Sequence, residues 1–176
     1  MAASSKIAFL DRDGVINHDV SYIGRPEDFV LIDGVPQALR MLRDAGYQLV
    51  VVTNQSGIGR SYFTEDDYRR VTARMEELLG HEGVALAAIR HCPHTPDAGC
   101  DCRKPKPDML IDSARQLGLS LGGAVLFGDK ETDITAGRAA GVTRCFLIDG
   151  TAESSQSDGD HAVDLLAAVK LLLRDQ

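Results

Sequence analysis

The chain has 176 residues, 44% hydrophobic and 26% charged, with 17 Gly and 6 Pro; that is enough for one well-packed domain and short for two, and it excludes a collagen, a disulfide-dense miniprotein and a disordered tail. A formal charge of −7 argues against a nucleic-acid partner, which calls for a basic face. No apolar run approaches the ~18 residues of a membrane span, and the opening MAASSK before IAFL is too short for a secretory leader. The expectation is a soluble, cytoplasmic, monomeric protein that touches neither nucleic acid nor membrane.

In chain order, short apolar runs alternate with helical patterns. IAFLD (7–11) is the first strand candidate, followed by Asp33-Gly34 as a turn and a helix over 35–45 with Val35, Ala38, Leu39 and Leu42 on one face. QLVVVT (48–53) is the second strand. Gly57 to Ser61 reads as a tight turn, because neither a P-loop Lys-Ser/Thr pair nor GxGxxG is present. Thr64 with Asp67 then opens a helix whose stripe is Tyr68, Val71, Met75, Leu78 and Leu79. VALAAI (84–89), AVLFGD (124–129) and RCFLI (144–148) are the remaining strands, with helices over 108–117, 132–140 and 161–173. TAESSQSDGD (151–160) reads as a mobile polar loop. Continuous apolar character within the strands implies burial on both faces. The fold class is therefore α/β, a doubly wound and mainly parallel sheet.

Ligands of such sheets bind beyond the carboxyl ends of the strands. The first run ends in Asp11-Arg12-Asp13-Gly14, the second in Thr53-Asn54-Gln55-Ser56, and the fourth in Gly128-Asp129-Lys130. Each alone is readable as a turn or a cap, but the three together describe a site. Carboxylates as close as Asp11 and Asp13 repel unless a cation sits between them or one is protonated. Mg²⁺ with Asp129 as a ligand from another strand resolves this. A calcium EF-hand loop is excluded because Val15 and Ile16 follow where further acids are needed. Asp133, one helical turn beyond Asp129, stands either beside the metal or behind its ligands.

Cys92, His94, Cys100 and Cys102 crowd into eleven residues, while Cys145 lies in an apolar run and reads as buried. An extracellular disulfide framework is spread along the chain; clustered C-x-H and C-x-C spacings favour a closed tetrahedral Zn²⁺ site that fixes the loop before Arg103 and Lys104. His91 is a neighbour of that cluster and not a ligand. A disulfide or free thiols are the competing readings.

FLDRDGVIN, VVVTNQSG, RKPKP and FGDKETD, in that order, resemble the four motifs of the haloacid dehalogenase superfamily of phosphatases over about residues 6–150. The resemblance implies Asp11 as nucleophile forming an aspartyl-phosphate, and Asp13 as general acid and base. It further implies Thr53 as a hydrogen-bond donor to the phosphoryl group and Lys104 as the neutralising cation. Mg²⁺ would be held by Asp11, the Asp13 carbonyl and Asp129. About forty residues between Asp13 and Thr53, and about fifty between Thr53 and Lys104, leave no room for the cap domain most members carry.

With the zinc cluster, this resembles the uncapped branch containing histidinol-phosphate and heptose-1,7-bisphosphate phosphatases. DRDGVIN, TNQSGIGR and GDKETD favour the heptose members, which remove the 7-phosphate in activated-heptose biosynthesis; histidinol-phosphate hydrolysis is the alternative. The likeness extends substrate contacts to Asp11, Arg12 and Asp13, to Asp19, Val20, Ser21 and Tyr22, to Thr53 through Ser56, and to Arg103, Lys104 and Lys130. The loop from His94 to Cys100 is shorter than in many relatives, which puts the shape of that wall in question. A receiver domain of a signalling relay shares acids, Thr and Lys at strand ends, but carries its phosphoacceptor on a later strand and has no zinc loop. A zinc-stabilised binding module is a weaker rival.

Overall fold

The computed structural model describes residues 6–150 and 160–174; the residues before position 6, and 151–159 of the expected polar loop, lie outside this range. Six parallel strands form one sheet: β1 (Lys6–Leu10), β2 (Tyr47–Asn54), β3 (Ala88–Cys92), β4 (Val125–Gly128), β5 (Arg144–Ile148) and β6 (Asp160–Ala162). The order is β3-β2-β1-β4-β5-β6. The helices are α1 (Val35–Asp44), α2 (Ser56–Gly59), α3 (Glu65–His81), α4 (Asp108–Leu117), α5 (Glu131–Ala140) and α6 (Leu165–Arg174). No helix among the described residues is long and apolar enough to cross a membrane.

The pleat of β1 divides the core. Ala8 and Leu10 face a cluster with α1, α3 and α6, through Leu39, Met75 and Val169. Ile7 and Phe9 face the opposite cluster with α4 and α5, through Leu110 and Ile134. All four β1 side chains are fully buried, as a strand covered by helices on both faces requires. The sheet runs β1 to β2 to β3 in one direction and β4 to β5 to β6 in the other, so the order reverses between β1 and β4. That reversal is where a doubly wound sheet opens a crevice at its carboxyl edge.

Two boundaries differ from the sequence reading. The third strand lies at Ala88–Cys92, not at 84–89, paired in register from Val50↔Ala88 to Asn54↔Cys92. As an edge strand it is only half-buried, so its polar Arg90 and His91 give no apolar run to read. The shift delivers Cys92 to the carboxyl edge. Likewise β6 is a three-residue edge strand opening at Asp160, so the last helix begins at Leu165 and not at 161. Gly57 to Ser61, read as a turn, overlaps the single helical turn α2, which begins at Ser56.

Thr64 caps α3: its hydroxyl accepts from the Asp67 N–H at 3.1 Å, and the Asp67 carboxylate accepts from the Thr64 N–H at 2.8 Å. Because α3 supplies Tyr68, Val71, Met75 and Leu79 to the interior, loss of this reciprocal cap is felt by the whole domain. Thr64→Ala is expected to lower stability by about 1 kcal/mol, measured by urea unfolding.

Candidate active site

The carboxyl ends of β2, β1 and β4 are neighbours in the sheet, and beyond them lies an open cavity of about 720 Å³. Asp11, Asp13, Asp19, Ser21, Tyr22, Thr53, Asn54, Gln55, Ser56, Arg103, Lys104 and Lys130 all line it. Two of the expected substrate contacts are placed elsewhere. Val20 is 60% exposed and is not on the wall, and Arg12 is 1% exposed, behind Asp13. A charged side chain between two wall residues reads as a contact in the sequence; in the structure it turns into the interior, beside a tight turn in which the Arg12 carbonyl accepts from the Ile16 and Asn17 N–H groups.

Lys104 is the electrostatic centre. Its ammonium donates to the Val52 carbonyl at 2.7 Å, and lies 3.0 Å from Asp11 Oδ1 and 2.6 Å from Asp133 Oδ1, with the side chain 2% exposed. Burial opposes the Lys104 charge, but Asp11 and Asp133 outweigh it and hold its pKa above the ordinary lysine value. Asp133, which also lines the cavity, further accepts from the Lys130 N–H at 3.1 Å. Asp11 Oδ1 additionally accepts from the Arg12 N–H at 2.8 Å. Burial lifts the Asp11 pKa; Lys104 opposes the shift, while Asp133 and Asp13 add to it. Asn54 clamps the Lys104 backbone in both directions, donating to its carbonyl and accepting from its N–H, each at 3.1 Å.

Asp13 is held as an acceptor on both oxygens. Arg12 reaches Oδ1 and Oδ2, Asn17 Nδ2 reaches Oδ1 at 2.9 Å, and Gln55 Nε2 reaches Oδ2 at 2.9 Å. Gln55 Nε2 also donates to Thr53 Oγ1 at 2.9 Å. Since a hydroxyl has one proton and two lone pairs, this contact leaves the Thr53 proton to donate elsewhere. Asn17 is the residue the sequence reading missed: its amide is fully buried, but an Asn closing an apolar Val-Ile pair carries no local signal of the carboxylate it will meet. Lys106 and Thr132 also line the cavity without having been anticipated.

The acids fit a divalent cation. Asp11, Asp129 and Asp133 each offer an oxygen within 4.8 Å of the others. Asp133 is already engaged by Lys104, whereas Asp129 Oδ1 is buried without a hydrogen-bond partner among the described residues. Burial, and then the Asp11 charge, push Asp129 up to about 6 despite Lys130; a cation reverses that pressure. Gly14 makes the approach of Asp129 possible: at φ +82°, a Cβ there would lie 2.5 Å from Asp129 Oδ2.

Beside the cavity, Cys92 Sγ lies 3.6 Å from both His94 Nδ1 and Cys100 Sγ, with Cys102 Sγ 3.3 Å from His94 Nδ1 and 3.7 Å from Cys100 Sγ. Zn–S bonds of ~2.3 Å place tetrahedral donors roughly 3.8 Å apart, so the cluster has the dimensions of a closed zinc site and not of a disulfide, whose sulfurs lie ~2.05 Å apart. Burial and the two neighbouring thiols push Cys102 up to about 12. Cys145 is buried apart from the cluster, and His91 turns away from it onto Tyr68 and Glu65. Arg103 Nη1 donates to the His94 carbonyl at 3.3 Å, which links the cluster to the cavity wall.

Residues 4–141 match the haloacid dehalogenase-like hydrolase family. The chain is 41% identical over 150 residues, 81% of its length and 82% of the relative's, to D-glycero-alpha-D-manno-heptose-1,7-bisphosphate 7-phosphatase of Photorhabdus laumondii. It is 40% identical over 168 residues, 92% of each chain, to the D-glycero-beta-D-manno-heptose-1,7-bisphosphate 7-phosphatase of Haemophilus ducreyi. Among solved structures it superposes with a TM-score of 0.87 and 32% identity, over 97% of this chain and 99% of the other, on D,D-heptose 1,7-bisphosphate phosphatase from B. bronchiseptica complexed with magnesium and phosphate. With the motif residues gathered at the sheet reversal and a family match across most of its length, the chain belongs to the haloacid dehalogenase-like hydrolases.

Proposed function

We propose that this protein is a Mg²⁺-dependent phosphatase that removes the 7-phosphate of a D-glycero-D-manno-heptose 1,7-bisphosphate through an aspartyl-phosphate on Asp11. The observation that carries the reading is the buried Asp11–Lys104–Asp133 contact at the floor of an open cavity, beside a carboxylate with an orphaned oxygen. Names of relatives near 40% identity supply the substrate class. Asp11, Asp129 and the Asp13 carbonyl would hold Mg²⁺, which would supply charge neutralisation at the transferring phosphoryl group.

The chain's own residues do the rest. Lys104 and the Arg12 N–H fix the rotation of the Asp11 carboxylate, so it faces phosphorus without reorganising. Asp11 attacks phosphorus as the ester P–O bond breaks, and the leaving oxygen takes a proton from Asp13. Thr53 donates its free proton to a phosphoryl oxygen. Water then attacks the phosphorus of the aspartyl-phosphate, its proton passes to Asp13, and the P–O bond to Asp11 breaks. Dividing hydrolysis in this way makes each displacement easier, and in-line positioning with cationic clamping is most of what phosphoryl transfer needs. The receiver-domain alternative loses support because the acceptor candidate directly follows β1 and a histidine-thiol cluster shapes the wall.

Arg103 and Lys130 lie on the cavity wall and are not among the Asp11 contacts, so we assign them to the rest of the substrate. A guanidinium suits bidentate contact with a second phosphate. Arg103→Ala is expected to lower kcat/KM for the bisphosphate by about 2–3 kcal/mol while barely changing slow turnover of a heptose 7-phosphate. Equal losses on both esters would put Arg103 at the reacting phosphate. A panel including histidinol phosphate tests the substrate class: the bisphosphates are expected to lead, and faster turnover of histidinol phosphate would replace the assignment.

Zinc is proposed as a structural ion on Cys92, His94, Cys100 and Cys102. Purified protein is expected to hold about one zinc per chain, lost in Cys100→Ser and Cys102→Ser together with most of the activity, because ligation and loop order are coupled. Zinc-free protein with full activity and unchanged melting would contradict the assignment. Reduced thiols held for a metal favour the cytoplasm, and the single sheet favours one domain.

A further inference from the structure

Arg12 is among the largest fully buried side chains of the protein. Its Nε lies 3.2 Å from Asp13 Oδ1, and its Nη2 lies 3.0 Å from both Asp13 oxygens and 3.3 Å from Gln55 Oε1. Nη1 has no hydrogen-bond partner among the described residues. The guanidinium carbon sits 5.9 Å from the centre of the Tyr68 ring. On that ring His91 stacks at 4.0 Å, and His91 Nε2 lies 2.8 Å from Glu65 Oε1. Residues from β3 and α3 thus form a shelf beneath one guanidinium.

Stability alone does not account for this arrangement. A buried ion pair is commonly no better for stability than apolar side chains of the same volume, and this one leaves a donor unpaired. Nor does Arg12 reach a substrate, because Asp13 is on the cavity wall and Arg12 is behind it. The fork instead spans both oxygens of the one acid that must exchange a proton in each half of the reaction. A fork that spans a carboxylate fixes its plane, which a point-like ammonium does not.

We propose that Arg12 is a positioning residue, which, seated on Tyr68, holds the Asp13 carboxyl in the plane from which it gives a proton to the leaving oxygen and takes one from water. The inference rests on the aspartyl-phosphate reading above. Because Arg12 acts only through Asp13, its effect disappears when Asp13 has no proton to transfer.

The test is a double-mutant cycle of Arg12→Lys and Asp13→Asn, with Tyr68→Leu as a second route to the same disturbance should Arg12→Lys fail to fold. Turnover of the heptose bisphosphate is compared with first-turnover release of nitrophenolate from p-nitrophenyl phosphate, a leaving group that needs no proton. Arg12→Lys is expected to lower kcat on the sugar ester by about 30-fold or more, within the range of acid–base catalysis, with KM changed less than about threefold. Release of nitrophenolate is expected to fall less than about threefold, and Arg12→Lys is expected to add nothing on the Asp13→Asn background. Tyr68→Leu is expected to show the same pattern at smaller size. Multiplicative losses, an equal fall on both esters, or an unchanged kcat would overturn the proposal. Full activity in Asp13→Asn would instead strike the reading on which it rests, so the two failures are distinguishable.

Discussion

Asp11→Asn is expected to reduce kcat on the heptose bisphosphate below about one hundredth of the wild-type value, a barrier increase of at least ~2.7 kcal/mol. The amide retains the shape of the side chain and can still accept from the Arg12 N–H, which in the wild type lies 2.8 Å from Asp11 Oδ1. It loses the negative charge that attacks phosphorus and offsets Lys104. Substrate affinity is expected to change far less than turnover, because Arg103, Lys130 and Ser21 on the wall are untouched. Rapid-quench kinetics read the effect, and residual turnover above a hundredth would remove Asp11 from the role of nucleophile.

Lys104→Met is expected to damage both stability and catalysis. Its ammonium is the shared partner of Asp11 and Asp133, whose side chains are 9% and 3% exposed. Removing it leaves two carboxylates facing each other in the interior, and breaking such a buried pairing costs about 3–5 kcal/mol. For a chain of this size that is a melting point lower by roughly 10 °C. Adding Asp133→Asn relieves one of the stranded charges, so the double variant is expected to recover part of the stability and none of the turnover. Differential scanning calorimetry alongside phosphate release separates the two effects. Recovery of turnover in the double variant would show that Lys104 serves the fold alone.

Much of this site was legible in the sequence because its chemistry sits at strand ends. Short apolar runs such as those in IAFLD and AVLFGD announce buried strands, and the polar residues that end them fall at the carboxyl edge by construction. The edge strands β3 and β6 were misplaced or unseen, since a strand covered on one side needs no continuous apolar run. Within the site, long-range partnerships were the illegible part. Asn17 and Gln55 on Asp13, Asn54 on the Lys104 backbone, and the inward turn of Arg12 are fixed by packing between elements and not by local spacing. Asp133 is legible only as one of two alternatives; its 2.6 Å contact with Lys104 comes from packing between α5 and the Lys104 loop, which local spacing does not show.

The most direct measurement of the central claim is acid quenching within milliseconds of mixing the enzyme and Mg²⁺ with heptose bisphosphate labelled with ³²P at position 7 or at position 1. The 7-label is expected to appear transiently on the protein as a hydroxylamine-sensitive acyl phosphate that maps to Asp11, while the 1-label stays in solution on the sugar. Product formation with no labelled protein at any time, label on another residue, or protein labelled from position 1 would contradict the account.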